Sequence, residues 1–585
     1  MSEMINLKIN GMAVSVPKGT TILEAAKSVG IEIPTLCFLK DLNEIGACRI
    51  CMVEANEGRG ARMVASCVYP VSEGMEVSTN SLKVQNARRT TLELILSTHD
   101  RKCLSCVRSG NCELQKLCKD YGIEDASVFD GAKPTYKLDT SAPHMIRDNN
   151  KCILCRRCVA ACKNQFVSVI GPNNRGIDTS IGSVFGLDLA ETGCISCGQC
   201  IVNCPTGALY EKDDTDKVRD ALADGEKFVA VQTAPAVRAA LGEEFGLPMG
   251  TPVTGKMAAA LRRLGFDKVF DTDFAADLTI MEEGTEFIDR LKNGGKLPLI
   301  TSCSPGWIKF CETYHPEFID NLSSCKSPQQ MFGATLKTYY AEKNGIDPAK
   351  IFSVSVMPCT AKKFEIGRDD ESAAGYPDLD ATITTRELAR MIKRAGIDFA
   401  NLPDEDFDDP LGESTGAAVI FGATGGVMEA ALRTVAEILE GKELGNIDYE
   451  AVRGTQPIKE ATVNIAGTDV SVAVCSGMSA AHELLEAVKK GEKNYHFIEI
   501  MGCPGGCVNG GGQPIVPASV RNFTDVKALR ASALYKEDAN KPLRKSHENP
   551  AIKKVYDEFF GEPGSHKAHE ILHTSYVDRS NKVIK

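Results

Sequence analysis

The pattern Cys152-x2-Cys155-x2-Cys158-x3-Cys162 recurs further along the chain as Cys194-x2-Cys197-x2-Cys200-x3-Cys204, with Lys163 following the first run and Pro205 the second. Thiols this closely spaced converge on one inorganic centre, and eight of them in an internal duplication are metal ligands rather than disulfides. The remainder of the 23 cysteines fall into similar groups, which fits a reducing compartment where structural disulfides are rare. A chain of 585 residues exceeds what one core can organise and should divide into several domains. A net charge of -11 argues against a nucleic-acid or anionic-membrane partner, since either needs a basic surface. The segment Met1-Ser2-Glu3-Met4-Ile5 lacks the features of a secretory leader, and no run of about 18 apolar residues reads as a membrane span. The expectation is a cytoplasmic enzyme.

The duplicated run resembles a bacterial two-cluster ferredoxin, in which the fourth cysteine of each run ligates the other cluster. That assigns Cys152, Cys155, Cys158 and Cys204 to one [4Fe–4S] cubane, and Cys194, Cys197, Cys200 and Cys162 to a second. Ahead of it, two alternating runs from Ile5 to Val16 break at Asn10-Gly11, the strongest short hairpin signal. A helix from Ile22 to about Val29 follows, and then Cys37, Cys48, Cys51 and Cys67. This order is similar to a plant-type ferredoxin β-grasp holding [2Fe–2S], with a longer first gap; a zinc knuckle is the alternative. An amphipathic helix over residues 81 to 98 delivers His99, Cys103, Cys106 and Cys112, a set that ligand count alone also allows for zinc. Cys118 beyond it reads as structural.

Past residue 211 the pattern changes to alternating strands and helices. Strands are expected at Lys227–Val231, Lys268–Phe270, Leu297–Ile300, Phe352–Val356 and Phe497–Ile500, and a helix from Lys256 to Leu264. The last three strands each end just before a cysteine-bearing loop: Thr301-Ser302-Cys303-Ser304-Pro305-Gly306-Trp307, Val356-Met357-Pro358-Cys359-Thr360-Ala361-Lys362-Lys363, and Met501-Gly502-Cys503-Pro504-Gly505-Gly506-Cys507. Open α/β sheets place their sites at the carboxyl ends of strands, so two helix-flanked sheets with a metal centre in the cleft between them are expected.

These loops together resemble the signature loops of the iron-only ([FeFe]) hydrogenases, and the likeness runs over nearly the whole chain. It implies a [4Fe–4S] cubane held by loop cysteines, with Cys507 bridging to a di-iron unit that carries carbon monoxide, cyanide and a dithiolate, together the H-cluster where H2 is made or split. The His99 set then resembles the His-ligated [4Fe–4S] site of hydrogenases and complex I. The cofactors would be one [2Fe–2S], three accessory [4Fe–4S] and the H-cluster, installed with maturation proteins. Met357, Lys362, Gln329 and Met501 correspond to residues around the di-iron unit, and the proton relay maps onto a loop cysteine followed by Glu283, Ser323, Glu286 and Arg290. The family has two adjacent cysteines where this chain has Cys303-Ser304. Gap-free matching puts Ser304 in the ligand column and Cys303 in the relay column, whereas the preference of iron–sulfur chemistry for soft ligands favours Cys303 as ligand, and the balance of the two leans to Cys303 as the ligand.

The resulting expectation is an α+β multidomain chain. It comprises a β-grasp [2Fe–2S] domain (1–80), a small [4Fe–4S] domain built on the His99 and cysteine set (81–139), a bacterial-ferredoxin-like two-cluster domain (140–210) and a large α/β catalytic domain (211–585) with two sheets flanked by helices. The alternatives are a hydrogenase-like H2 sensor or iron–sulfur assembly protein, and a pure electron-transfer subunit as in complex I. Against the last stand Cys303, Cys359, Cys503 and Cys507, which electron transfer alone does not require. Electrons would pass to soluble ferredoxin or, as the Cys-Ser loop implies, to flavin/NAD(P)-binding and [2Fe–2S] partner subunits of a multimeric NADP-reducing hydrogenase. The chain itself has no G-x-G-x-x-G dinucleotide fingerprint.

Overall fold

The computed structural model describes residues 3–582. Asn10 and Gly11 both take positive φ (49° and 84°), the two-residue turn that lets Met4–Ile9 and Met12–Pro17 pair antiparallel with Ile9 opposite Met12. Their alternating side chains bury Ile5, Leu7, Ile9, Val14 and Val16 on one face. The helix Ile22–Ser28 covers that face, its start fixed by a Thr21/Glu24 capping box. Glu76–Ser78, Met52–Asn56 and Ala61–Ala65 complete a five-stranded sheet.

The helix Leu82–Thr98, capped by the Ser81 hydroxyl on the N–H of Val84, ends at His99. It packs Leu92 and Leu96 with Leu114 and Leu117 of a second helix, Glu113–Asp120. In the duplicated region Cys158 and Cys162 lie on the helix Arg157–Asn164, and Cys200 lies on the short helix Gln199–Val202.

Beyond residue 211, two four-stranded sheets form. One is wholly parallel, in the order Lys268–Asp271, Phe228–Thr233, Ile351–Met357, Ala381–Thr384. The other runs Leu299–Ile300, Phe497–Met501, Thr468–Ser476, Ile458–Ile465, parallel except for its last hairpin. The helix Thr272–Asn293 is apolar on opposite faces, so it serves both cores: Phe274, Ala275 and Leu278 pack into one, Ala276, Ile280 and Phe287 into the other. The strand expected at Leu297–Ile300 is reduced to Leu299–Ile300, because Pro298 has no N–H to give to a ladder. Among the described residues no helix is long and apolar enough to cross a membrane.

Candidate metal centre

Three strands, Leu299–Ile300, Ile351–Met357 and Phe497–Met501, deliver Cys303, Cys359 and Cys503 within three residues of their carboxyl ends. The loops meet through backbone, with the Gly512 N–H donating to the Pro358 carbonyl (2.7 Å). Gly510 is obligatory there, since a Cβ would stand 2.1 Å from the same carbonyl. Burial pushes the thiols of Cys359, Cys503 and Cys507 up, Cys507 to about 12, with Cys359 raising both others. Thiolates crowded into an apolar pocket need a cation to hold them, which is what an iron–sulfur cluster supplies.

The spacing distinguishes a cluster from a single ion. Zinc bound at about 2.3 Å requires sulfurs about 3.8 Å apart, yet among the described residues the trios of ligand atoms lying within 4.8 Å of one another include none of these cysteines. The donor set therefore fits a cubane-sized group.

Cys303 and Ser304 face different ways. The Ser304 hydroxyl accepts the N–H of Gly502 at 3.0 Å, beside Cys503. The half-buried Cys303 thiol is pushed up by loss of solvent and then by the Glu283 carboxylate and Cys507.

Met357 and Met501 are buried at the two strand ends. Lys362 donates to Glu365 (2.9 Å), the Ser327 hydroxyl (2.7 Å) and the Cys303 carbonyl (3.2 Å). Gln329 donates to the same Glu365 (2.9 Å) and accepts from Ser355 (2.7 Å). Glu365, Ser327 and Ser355 were not found from sequence, because buried polar partners carry no periodic or spacing signal.

Glu283, Glu286 and Arg290 share one face of the helix Thr272–Asn293. Both Glu283 oxygens are buried without a completed hydrogen bond, and burial raises this carboxyl to about 8, with the Ser323 hydroxyl and Ser302 N–H acting weakly against it. Such a group is largely protonated at neutral pH and is close to the driving force for transfer in either direction. Ser323 donates to Glu286 (3.1 Å), and Arg290 pairs with Glu286 (2.5 Å) and donates to the Leu322 carbonyl (2.9 Å).

The structure brings several of the other cysteines together. Cys37 acts on Cys48, and Cys51 stands 3.3 Å from Cys67, two pairs such as a [2Fe–2S] rhomb takes, one per iron. His99 is buried with Nδ1 unpartnered and is held neutral, down to about 4, by that burial. Cys103, Cys106 and Cys112 follow it, and Cys112 feels the charge of Cys106. One cavity is lined by Cys152, Cys155, Cys158 and Cys204 and a second by Cys194, Cys197, Cys200 and Cys162, so each run lends its last cysteine to the other.

Residues that sequence could not nominate bridge these groups. Asn43 donates to the carbonyls of Cys37 (2.7 Å) and Cys155 (3.1 Å), and Arg108 donates to that of Cys204 (3.1 Å). Towards the three loops, Thr360 donates to the Ser196 carbonyl (2.8 Å) and Gln199 to that of Asn509 (2.9 Å). Cys197 is among the charges felt by Cys503. Gly198 and Gly511 lie back to back at this junction, where a Cβ on Gly511 would stand 2.4 Å from the Cys197 carbonyl. Gly511→Ala is therefore expected to cost about 1–3 kcal/mol by overpacking, measured as a lower denaturant midpoint; an unchanged midpoint would show that the junction is loose.

A fold of clustered cysteine sites leading to a buried thiol pocket beside a carboxylate chain defines a multidomain iron–sulfur oxidoreductase. Residues 227–511 match the model of the iron only hydrogenase large subunit, C-terminal domain, and residues 524–579 that of the iron hydrogenase small subunit. Upstream, 2–81 match a 2Fe-2S iron-sulfur cluster binding domain, 88–127 the NADH-ubiquinone oxidoreductase-G iron-sulfur binding region, and 151–210 a 4Fe-4S dicluster domain. The chain is 53% identical to the NADP-reducing hydrogenase subunit HndD of Solidesulfovibrio fructosivorans over 99% of both chains. It is 47% identical to iron hydrogenase 1 of Clostridium pasteurianum, covering 98% of this chain and all of that one. The apo [FeFe]-hydrogenase HydA1 of Chlamydomonas reinhardtii superposes with a TM-score of 0.56 at 43% identity, over 63% of this chain and 99% of that one. The chain belongs to the iron-only ([FeFe]) hydrogenase family, and its reaction is the interconversion of H2 with protons and electrons.

Proposed function

We propose that Cys359, Cys503 and Cys507 hold the cubane of an H-cluster, that Ser304 fills its fourth position, and that Cys303 is the first proton carrier. The observation that carries this reading is that Cys303 packs against the core built on the helix of Glu283, whose charge raises its thiol, while the Ser304 hydroxyl accepts the N–H of Gly502 beside Cys503. The chemistry supplied by a bound H-cluster is exchange of two electrons and two protons with H2. The residues of the chain do the rest. Met357 and Met501 keep water from the pocket, and Lys362, anchored by Glu365 and Ser327, sets a positive charge at its wall. Cys303 passes a proton to Glu283, and Ser323 and Glu286 carry it outward along a hydrogen bond of 3.1 Å, with the Arg290 guanidinium holding Glu286 in place at 2.5 Å.

Electrons travel through four accessory clusters: [2Fe–2S] on Cys37, Cys48, Cys51 and Cys67; [4Fe–4S] on His99, Cys103, Cys106 and Cys112; and the two cubanes of the swapped sets. Both outer sites adjoin the Cys204 cubane through Asn43 and Arg108, giving two entrances to one line. The domain limits 1–80, 81–139, 140–210 and 211–585 follow this division of labour. By likeness to an NADP-reducing hydrogenase subunit, the electron partner is a NADP-reducing assembly in the cytoplasm, and maturation proteins install the di-iron unit.

A matured chain is then expected to hold about 20 irons by cluster type and to show cyanide and carbonyl infrared bands. Stoichiometric zinc in place of iron would rule the assignment out. For the histidine site, His99→Cys should retain a cubane but lower its potential, because a charged thiolate replacing neutral imidazole favours the oxidised cluster. An unmoved midpoint in redox-poised EPR would remove His99 from the ligand set.

A further inference from the structure

The twin cubane pockets are not electrically equivalent. His144 is 1% exposed, and neither Nδ1 nor Nε2 has a hydrogen-bond partner. It lines the cavity shared by Cys162, Cys194, Cys197 and Cys200. Burial, with Lys309 and Lys363 adding to it, holds the ring neutral, its pKa lowered to about 3. A neutral imidazole still carries one N–H, and a buried donor left unpaired costs about 1–3 kcal/mol. The other polar side chains of that cavity are Arg147, which can only donate, Gln165, engaged by the Gly502 carbonyl and the Met478 N–H, Gln199, which donates to the Asn509 carbonyl, and the cluster cysteines, whose thiolates and the sulfides they would bind are acceptors within its reach.

Lys309 acts on the same cluster. Its ammonium sits 3.4 Å from the Ser196 hydroxyl and over the Phe364 ring (4.1 Å), and it forms no ion pair among the described residues. Cys194 is the foremost negative group acting on it. Beside the other cubane Arg157 is paired with Glu113 (2.8 Å), Lys151 is paired with Asp148 (3.3 Å) and Arg156 is exposed to solvent, while Arg108 donates to the Cys204 carbonyl (3.1 Å), so the difference between the pockets rests first on His144.

We propose that His144 donates its N–H to the cubane held by Cys162, Cys194, Cys197 and Cys200 and, with Lys309, raises that cluster's potential above that of its twin. Reduction adds negative charge, and both a donor to sulfur and an unpaired cation favour the reduced form. The raised cluster is the one whose Cys197 adjoins Cys503, so electrons collect beside the catalytic pocket. His144 is a positioning and tuning residue and makes no contact with H2. The inference rests on the ligand assignment proposed above.

The test is redox-poised EPR of the cluster-loaded full chain, with iron counted per chain. His144→Leu should lower the midpoint of one [4Fe–4S] component by at least about tenfold in the reduced-to-oxidised ratio, 59 mV for one electron, leaving the others in place. His144→Gln keeps a donor of similar reach and should stay near the parent midpoint, which a merely space-filling role would not ensure. Lys309→Met should lower the same component. A fully metallated His144→Leu chain with unshifted midpoints overturns the proposal, as does a His144→Gln chain shifted as far as His144→Leu. Should His144→Leu lose four irons, retention with parent potentials in His144→Gln supports the donor role, and loss in both overturns it. A parent chain without the signals of two interacting cubanes would overturn the ligand assignment as well, and is told apart by its iron count.

Discussion

Cys303→Ala is expected to leave a fully metallated chain that turns over H2 about 10²–10⁴-fold more slowly, the range set by loss of a positioned proton carrier. A ligand is needed for a cluster to exist, whereas a proton carrier is needed only during turnover. The cyanide and carbonyl infrared bands and the iron content should therefore survive in Cys303→Ala and be lost in Ser304→Ala. Soft-ligand preference points the other way, since serine oxygen is hard and iron–sulfur clusters favour sulfur. What outweighs it is placement. The loop between Thr301 and Pro305 sets Ser304 on the Gly502 N–H and packs Cys303 against the core built on the helix of Glu283, and exchanging the two would break both placements. Loss of the bands in Cys303→Ala with a functional Ser304→Ala would reverse the assignment.

Much of this was legible from spacing. The two cysteine runs were readable as metal ligands from their spacing, whereas the swapped sets came from the likeness to a two-cluster ferredoxin; one cavity is lined by Cys152, Cys155, Cys158 and Cys204 and another by Cys162, Cys194, Cys197 and Cys200. Asn10-Gly11 declared its hairpin because few residues accept positive φ twice in succession. The three strand ends before Cys303, Cys359 and Cys503 were readable as apolar runs stopped by loops. Less readable was anything defined by a partner remote in sequence. Glu365 becomes part of the centre only because Lys362 and Gln329 both reach it, and Asn43 looks like any loop asparagine until it is found bridging Cys37 and Cys155. The helix Thr272–Asn293 was visible only as two glutamates a turn apart, because a helix buried on opposite faces lacks the single apolar stripe by which helices are recognised. The short strand at Leu299 was overextended by reading Pro298 as part of an apolar run.

Glu283→Gln separates the proton role of this site from its packing role. Glutamine has the same shape as the protonated acid but cannot release or take up a proton in its place, so H2 turnover should fall by about 10²–10⁴-fold with iron content and infrared bands unchanged. Stability should move in the opposite sense. Burial lifts the Glu283 carboxyl from 4.5 to about 8, so across that interval the folded chain keeps a proton that the unfolded chain has released. The folded state binding more protons means that stability falls as pH rises through the window and levels off above the folded value. Below 4.5 both states are protonated and the group contributes no difference. The Gln variant has no such proton, so its thermal transition, measured anaerobically against the parent, should gain on the parent steadily from about pH 5 to about pH 8 and hold that lead at higher pH. A variant that keeps full turnover would remove Glu283 from the proton path, and one whose stability parallels the parent at every pH would show that the carboxyl is already ionised in the fold.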